Sequence, residues 1–344
     1  MVAPLLHIAG VWWLDWHVHP DVLLVLAALL SGYLYAVYVL RERISDAGRV
    51  PRSQVVYFSL GVLVLYAAAG SPIHDLSEHY LLSVHMFQHL LLTLVAPPLL
   101  LLGTPAWLWQ ALFRRPVALA VARVAFHPLV GFGVFNFLLV ITHLPGVVDL
   151  ALREHWFHFL VHAGLVVSAA MMWWPVLSNV PQLPRLSYPY QMAYLFVQSL
   201  LPAVVASFIT FSTSAVYDFY ERAPRVWGLT PVEDQQIGAL VMKLLGSLII
   251  WGFIAVAFFR WYAHEEAESR DPQWPEVEEE LRDAEWRAEH YASAAERRRT
   301  RNAALQLLVS EWETLPLNDK QQLLREMIDQ VRVGEGGARI VLRP

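Results

Sequence analysis

The stretch SVHMFQHLLLTLVAPPLLLLG, residues 83–103, holds 21 residues without a charged side chain. As a helix it is long enough to cross about 30 Å of hydrocarbon. Its Pro97-Pro98 pair and the following Gly-Thr-Pro turn at 103–105 predict a kink or an early end. Six further apolar runs lie on either side, at 21–40, 54–70, 124–142, 156–175, 190–212 and 236–259. The first is stopped by Arg41-Glu42-Arg43, and the fifth ends in Trp173-Trp174-Pro175, an aromatic pair suited to a headgroup interface. The expected fold is therefore all-α: a polytopic membrane bundle of about seven transmembrane helices.

Charge divides the chain in two. Residues 1–260 carry 13 Lys/Arg and 12 Asp/Glu, whereas residues 261–344 carry 12 and 18. The first part reads as a bilayer-soluble transmembrane domain, the second as a water-soluble tail. A net charge of −5 argues against a nucleic-acid partner, and the absence of cysteine excludes thiolate metal sites, disulfides and dithiol redox chemistry. The first residues show neither a basic segment nor a small-residue cleavage pattern, so no removable signal peptide is expected.

With seven spans, one set of connections holds Arg41, Arg43, Arg49, Arg52, Arg114, Arg115, Arg123, Arg185 and Arg260, and the other only Arg153, Arg222 and Arg225. This bias predicts an N-terminus outside and a cytoplasmic tail. The acids invert it, with only Glu42 and Asp46 inside, so the outer surface should attract cations. A topology reporter fused after Arg260 should be active only in the cytoplasm, and one near Arg222 only outside. The reverse pattern would overturn the orientation. In the tail, residues 276–313 read as a long charged helix, residues 318–331 as a shorter one with Asn318 as N-cap. Val331–Val333 and Ile340–Leu342, separated by glycines, read as a small hairpin. Residues 312–343 resemble the extreme C-terminus of large serine recombinases, but no catalytic part of such an enzyme is present.

Of 14 histidines, eleven fall outside or at the outer ends of spans: His7, His17, His19, His74, His79, His85, His89, His143, His155, His158 and His162. His127, His264 and His290 fall on the cytoplasmic side. Helix capping alone needs no such bias, because Ser, Thr or Asn serve it as well. Imidazole adds a neutral nitrogen ligand near neutral pH. His85/His89 open the third span and His158/His162 the fifth, and residues four apart share a helix face. His143 closes the fourth span at the same depth, so five imidazoles can converge; polar groups at such depth are costly and mark function or internal pairing. His17/His19 and His74-Asp75-x-x-Glu78-His79 are candidates for passing a metal inward, or else solvated loop polars. Glu233-Asp234-Gln235-Gln236 opens the seventh span, where acids also complement the helix dipole. Met242 is a possible soft ligand, and Lys243 needs a partner inside its span. Imidazole suits zinc, copper, iron and nickel, and thioether favours Cu(I), so copper and zinc both remain.

Residues 85–105, with Thr142-His143-Leu144-Pro145, the His158/His162 pair, Phe208–Phe211 before Tyr217, and Thr230–Gly238, resemble the CtaG family of cytochrome c oxidase assembly factors. The resemblance covers about 15–260. It implies a multi-pass bacterial plasma-membrane protein that helps build a caa-type haem–copper oxidase by supplying copper to its catalytic subunit. The implied partners are oxidase subunits, the lipid bilayer and a copper donor protein. The implied site residues are His85, Met86, His89, His143, His158, His162, Asp234, Gln235 and Gln236. Met242-Lys243 departs from the family pattern, and the tail lies outside it. A non-catalytic assembly factor competes with two other readings: a seven-helix zinc-dependent lipid hydrolase and a bis-histidine haem protein.

Overall fold

A computed structural model describes residues 19–44, 49–269, 273–334 and 337–342. The expectations for His7, His17, Asp46 and a signal peptide lie outside these residues. The chain divides into two compact units, Met1–His264 and Glu265–Pro344. In the first, long helices are interspersed with short ones: α1 Pro20–Arg43, α2 Arg52–Ala69, α3 Pro72–His79, α4 Leu82–Gly103, α5 Ala106–Leu112 and α6 Pro116–Ala125. They continue as α7 Pro128–Thr142, α8 Pro145–Arg153, α9 His155–Leu177, α10 Tyr188–Phe211, α11 Asp218–Arg222 and α12 Pro231–Ala267.

Among the described residues, six helical stretches are long and apolar enough to cross a membrane, one of them α2 taken together with α3. A seventh crossing is counted when α6 and α7, bent by 63°, are taken as one. The protein is thus a polytopic helical bundle. The run at 124–142 does not form one straight span, however. Proline disfavours helical geometry in the residue before it, and His127 is extended, with φ −64° and ψ 133°. The crossing helix therefore starts at Pro128, where the backbone N–H of Leu129 donates to His127 Nδ1 at 3.3 Å. His127 caps this helix rather than merely packing.

Pro97 and Pro98 do not end α4. A proline deprives the carbonyl four residues earlier of its donor, which for Pro97 is that of Thr93. The indole Nε1–H of Trp173 on α9 donates to this oxygen at 3.0 Å. A π-helical turn at Leu91–Val95 lies in the same stretch, and similar turns occur at Ala36–Leu40 and Val241–Leu245. Small residues let the spans approach: a Cβ on Gly103 would lie 2.3 Å from Phe58 N of α2, and one on Gly131 of α7 would lie 2.6 Å from the Met171 carbonyl of α9. Between α7 and α10, Asn136 and Gln198 exchange side-chain hydrogen bonds at 2.9 and 3.3 Å, both buried.

The second unit contains α13 Gln273–Glu311, α14 Leu317–Met327 and the antiparallel strands β1 Ile328–Gly334 and β2 Gly337–Leu342. Helix α14 begins one residue before Asn318, with Pro316 at the cap position and no side-chain cap bond. Val331 pairs with Ile340 and Val333 with Ala338.

Candidate metal centre

Three helix starts lie together at one end of the bundle, and side-chain contacts fix each of them. The Ser71 side chain accepts from Ile73 N at 3.2 Å and starts α3. Helix α4 has no side-chain cap of its own. Asp234 of α12 supplies one: it accepts from Leu82 N at 2.7 Å, from Ser83 N at 3.2 Å and from the Ser83 hydroxyl. Helix α12 is started by a capping box between Thr230 and Glu233. Gly238 presses on Ser83, where a Cβ would come within 3.1 Å. These contacts aim the next turn of α4, which carries His85 and His89, into the bundle.

Five imidazoles converge there, all buried. Ring centroids are 4.3 Å apart for His85 and His89, 4.1 Å for His158 and His162, 5.3 Å for His89 and His162, and 5.7 Å for His89 and His143. One nitrogen each of His85, His89 and His162 lies within 4.8 Å of the others. Metal–imidazole bonds of ~2.0 Å hold such nitrogens roughly 3.3 Å apart, so modest side-chain rotation closes the set on one ion. Among the described residues, His85 Nδ1, His89 Nε2 and His143 Nε2 are buried without a hydrogen-bond partner. Leaving a buried polar nitrogen unpaired costs about 1–3 kcal/mol. The donor set therefore fits a transition metal.

Neighbouring groups select the tautomers. His143 Nδ1–H donates to the Leu139 carbonyl at 2.6 Å, which leaves a lone pair on its buried Nε2. His158 Nδ1 lies 2.7 Å from Glu78 Oε1, and its Nε2 lies 2.9 Å from His162 Nε2. With the His158 proton on the Glu78 side, His162 donates to His158 and keeps its lone pair on Nδ1. His74 Nε2 approaches the same Glu78 oxygen at 3.1 Å. Gln88 Nε2 donates both to the Ala68 carbonyl, at 2.8 Å, and to His74 Nδ1, at 2.9 Å. That orientation makes His74 a donor to Glu78 rather than a free ligand. Glu78 thus collects two imidazole N–H groups, an arrangement that orients histidines around metals.

Two cavities border the cluster. One, of about 50 Å³, is lined by Met86, His89, His143, Gln198, Met242 and Lys243. Both candidate thioethers therefore share a cavity with two of the imidazoles, and Lys243 donates to the Ser207 hydroxyl at 3.3 Å. The other, of about 250 Å³, is lined mainly by apolar side chains and reaches Glu78, His158 and His162.

Not every candidate joins the cluster. Asp234 spends both carboxylate oxygens on the start of α4. Gln235 accepts from Val216 N at 2.8 Å and donates to the Ile209 and Ser214 carbonyls, tying down the connection after α10. Both are framing residues, and Gln236 is half-buried beside them. His79 turns to the Asp75 carbonyl at 3.0 Å, and His155 pairs with Asp21 at 3.3 Å. His19 reaches the edge, its ring 4.7 Å from His74 and its Nε2 3.6 Å from Asp75. Sequence reasoning missed Gln88, Tyr217 and Tyr220. Tyr217 donates to the His143 carbonyl at 3.0 Å, and Tyr220 to that of Ser77 at 2.6 Å. Burial pushes both tyrosine hydroxyls well above their ordinary pKa, so they stay neutral donors. For Gln88 a signal existed, since an amide in the middle of an apolar span needs a partner.

Fold and site together define a multi-pass helical membrane protein built around a buried imidazole cluster. The chain belongs to the family of cytochrome c oxidase caa3 assembly factors (CtaG), whose sequence model matches residues 31–264. It is similar to uncharacterized proteins of Mycobacterium bovis and Mycobacterium tuberculosis, at 25% identity over 254 residues, 68% of this chain and 37% of each relative. A third uncharacterized relative, from Mycobacterium leprae, is 25% identical over 261 residues, 70% of this chain and 39% of its own. The chain thus spans little more than a third of the length of these curated relatives. No solved structure matches it.

Proposed function

We propose that this chain is a non-catalytic assembly factor for a caa-type haem–copper oxidase in the bacterial plasma membrane. It holds copper at the imidazole cluster on the outer side and passes it from a donor protein to the oxidase. Family membership supports the assembly role. One observation carries the metal role: the buried nitrogens of His85, His89 and His143 without hydrogen-bond partners, with His143 held by Leu139 in the tautomer a metal requires. Met86 and Met242 beside them favour copper in its soft, reduced form over zinc.

The rival readings fit less well. A zinc hydrolase needs a carboxylate beside a metal-bound water, whereas Glu78 is engaged by His74 and His158. A bis-histidine haem needs a porphyrin-wide gap between facing imidazoles, and ring centroids only 5.3 to 6.1 Å apart across α4 and α9 leave none. The test is elemental analysis and absorption spectroscopy of the protein purified from copper-supplied membranes. Stoichiometric copper without a haem band is expected, and a chain ending after His264 should hold the same amount. Stoichiometric zinc, a haem spectrum or an empty site would overturn the copper reading.

A further inference from the structure

Helix α13 is 39 residues long, and Val277, Leu281, Tyr291 and Val309 on it are 53%, 62%, 74% and 76% exposed. These residues fall on one repeat. Positions 274, 277, 281, 284, 288, 291, 295, 298, 302, 305 and 309 follow the alternating three-and-four spacing of a heptad, and all but Arg298 and Asn302 are Trp, Val, Leu, Ala or Tyr. Spacing of this kind sustained beyond three or four heptads is the pattern of a coiled coil, and one helix cannot bury it alone. We infer that α13 is a self-association element, through which two copies of this chain pair as an antiparallel coiled coil.

Charge chooses the partner and the direction. Residues 274–287 carry six acids and two arginines, whereas residues 295–308 carry four arginines and one glutamate. A second copy laid antiparallel sets the acidic half of each helix against the basic half of the other. With Ala288 opposite Tyr291 of the second copy, Glu278 and Glu280 face Arg299 and Arg301. Parallel pairing would instead set Glu280 against Glu285 and Arg298 against Arg298, which is repulsive. Volume agrees with charge. Antiparallel layers match the large Tyr291 with the small Ala288, whereas parallel layers set tyrosine against tyrosine and alanine against alanine. The overlap spans roughly 30 residues, or about 45 Å of helix.

The absence of native cysteine makes the test direct. Full-length Ala284→Cys and Ala295→Cys chains, carrying different tags, are co-expressed, and isolated membranes are treated with a mild oxidant. The antiparallel register brings position 284 of one copy against 295 of the other. Expected is a disulfide joining the two tags, weak or absent when either variant is expressed alone and at a control Ser293→Cys on the opposite face. Tyr291→Asp should remove the crosslink while leaving the protein in the membrane. Efficient self-crosslinking of Ala284→Cys would overturn the antiparallel pairing, and no crosslink in any combination would overturn self-association.

Discussion

His89→Ala and His162→Ala should each strip the chain of most of its copper and of its capacity to support an active oxidase, while it stays in the membrane. Loss of an outer partner to a metal ligand costs about 10–100-fold in affinity, so loss of a ligand itself should weaken binding more than about 100-fold. The two residues belong to one set of nitrogens within 4.8 Å. The double variant should therefore be little worse than either single one, because groups acting as a unit are non-additive. His127→Ala, a cap at the start of α7, should lower stability by about 0.5–2 kcal/mol and leave copper unchanged. Binding titrations on the purified variants decide the matter. Full copper loading of both single variants would make the pairs structural.

Asp234→Ala should damage the protein in a different way. The substitution strands the N–H groups of Leu82 and Ser83 and the Ser83 hydroxyl at the buried start of α4. Each stranded group costs about 1–3 kcal/mol, so the three together should cost at least about 3 kcal/mol and loosen the turn carrying His85 and His89. Asp234→Asn keeps one acceptor oxygen and should retain much of the stability and near-normal copper affinity. Thermal unfolding in detergent, read beside copper content, separates the roles. If Asp234→Asn loses copper at unchanged melting temperature, Asp234 is a ligand and its capping role is secondary.

The sequence by itself determined the membrane class, the sites of the crossings and the shared level along the bundle of His85, His89, His143, His158 and His162. Each of these depends on hydropathy and spacing along one chain, such as the four-residue step from His85 to His89. The crossing at 124–142 was misread in shape because the influence of Pro128 on His127 is local, whereas the run of apolar residues around it looks continuous. The early end expected at Pro97 failed for the opposite reason: its remedy, the Trp173 indole on the Thr93 carbonyl, comes from a residue 80 positions away. Only the tertiary structure decided which polar residues serve the cluster and which serve the frame. Asp234 and Glu78 are both acids beside helix ends at the same end of the bundle, and no local pattern separates them. Packing of α12 on α4 turns Asp234 into a cap, while packing of α3 on α9 brings Glu78 to His158. A side chain's role at this depth is set by whichever partner satisfies it, and those partners lie on other helices.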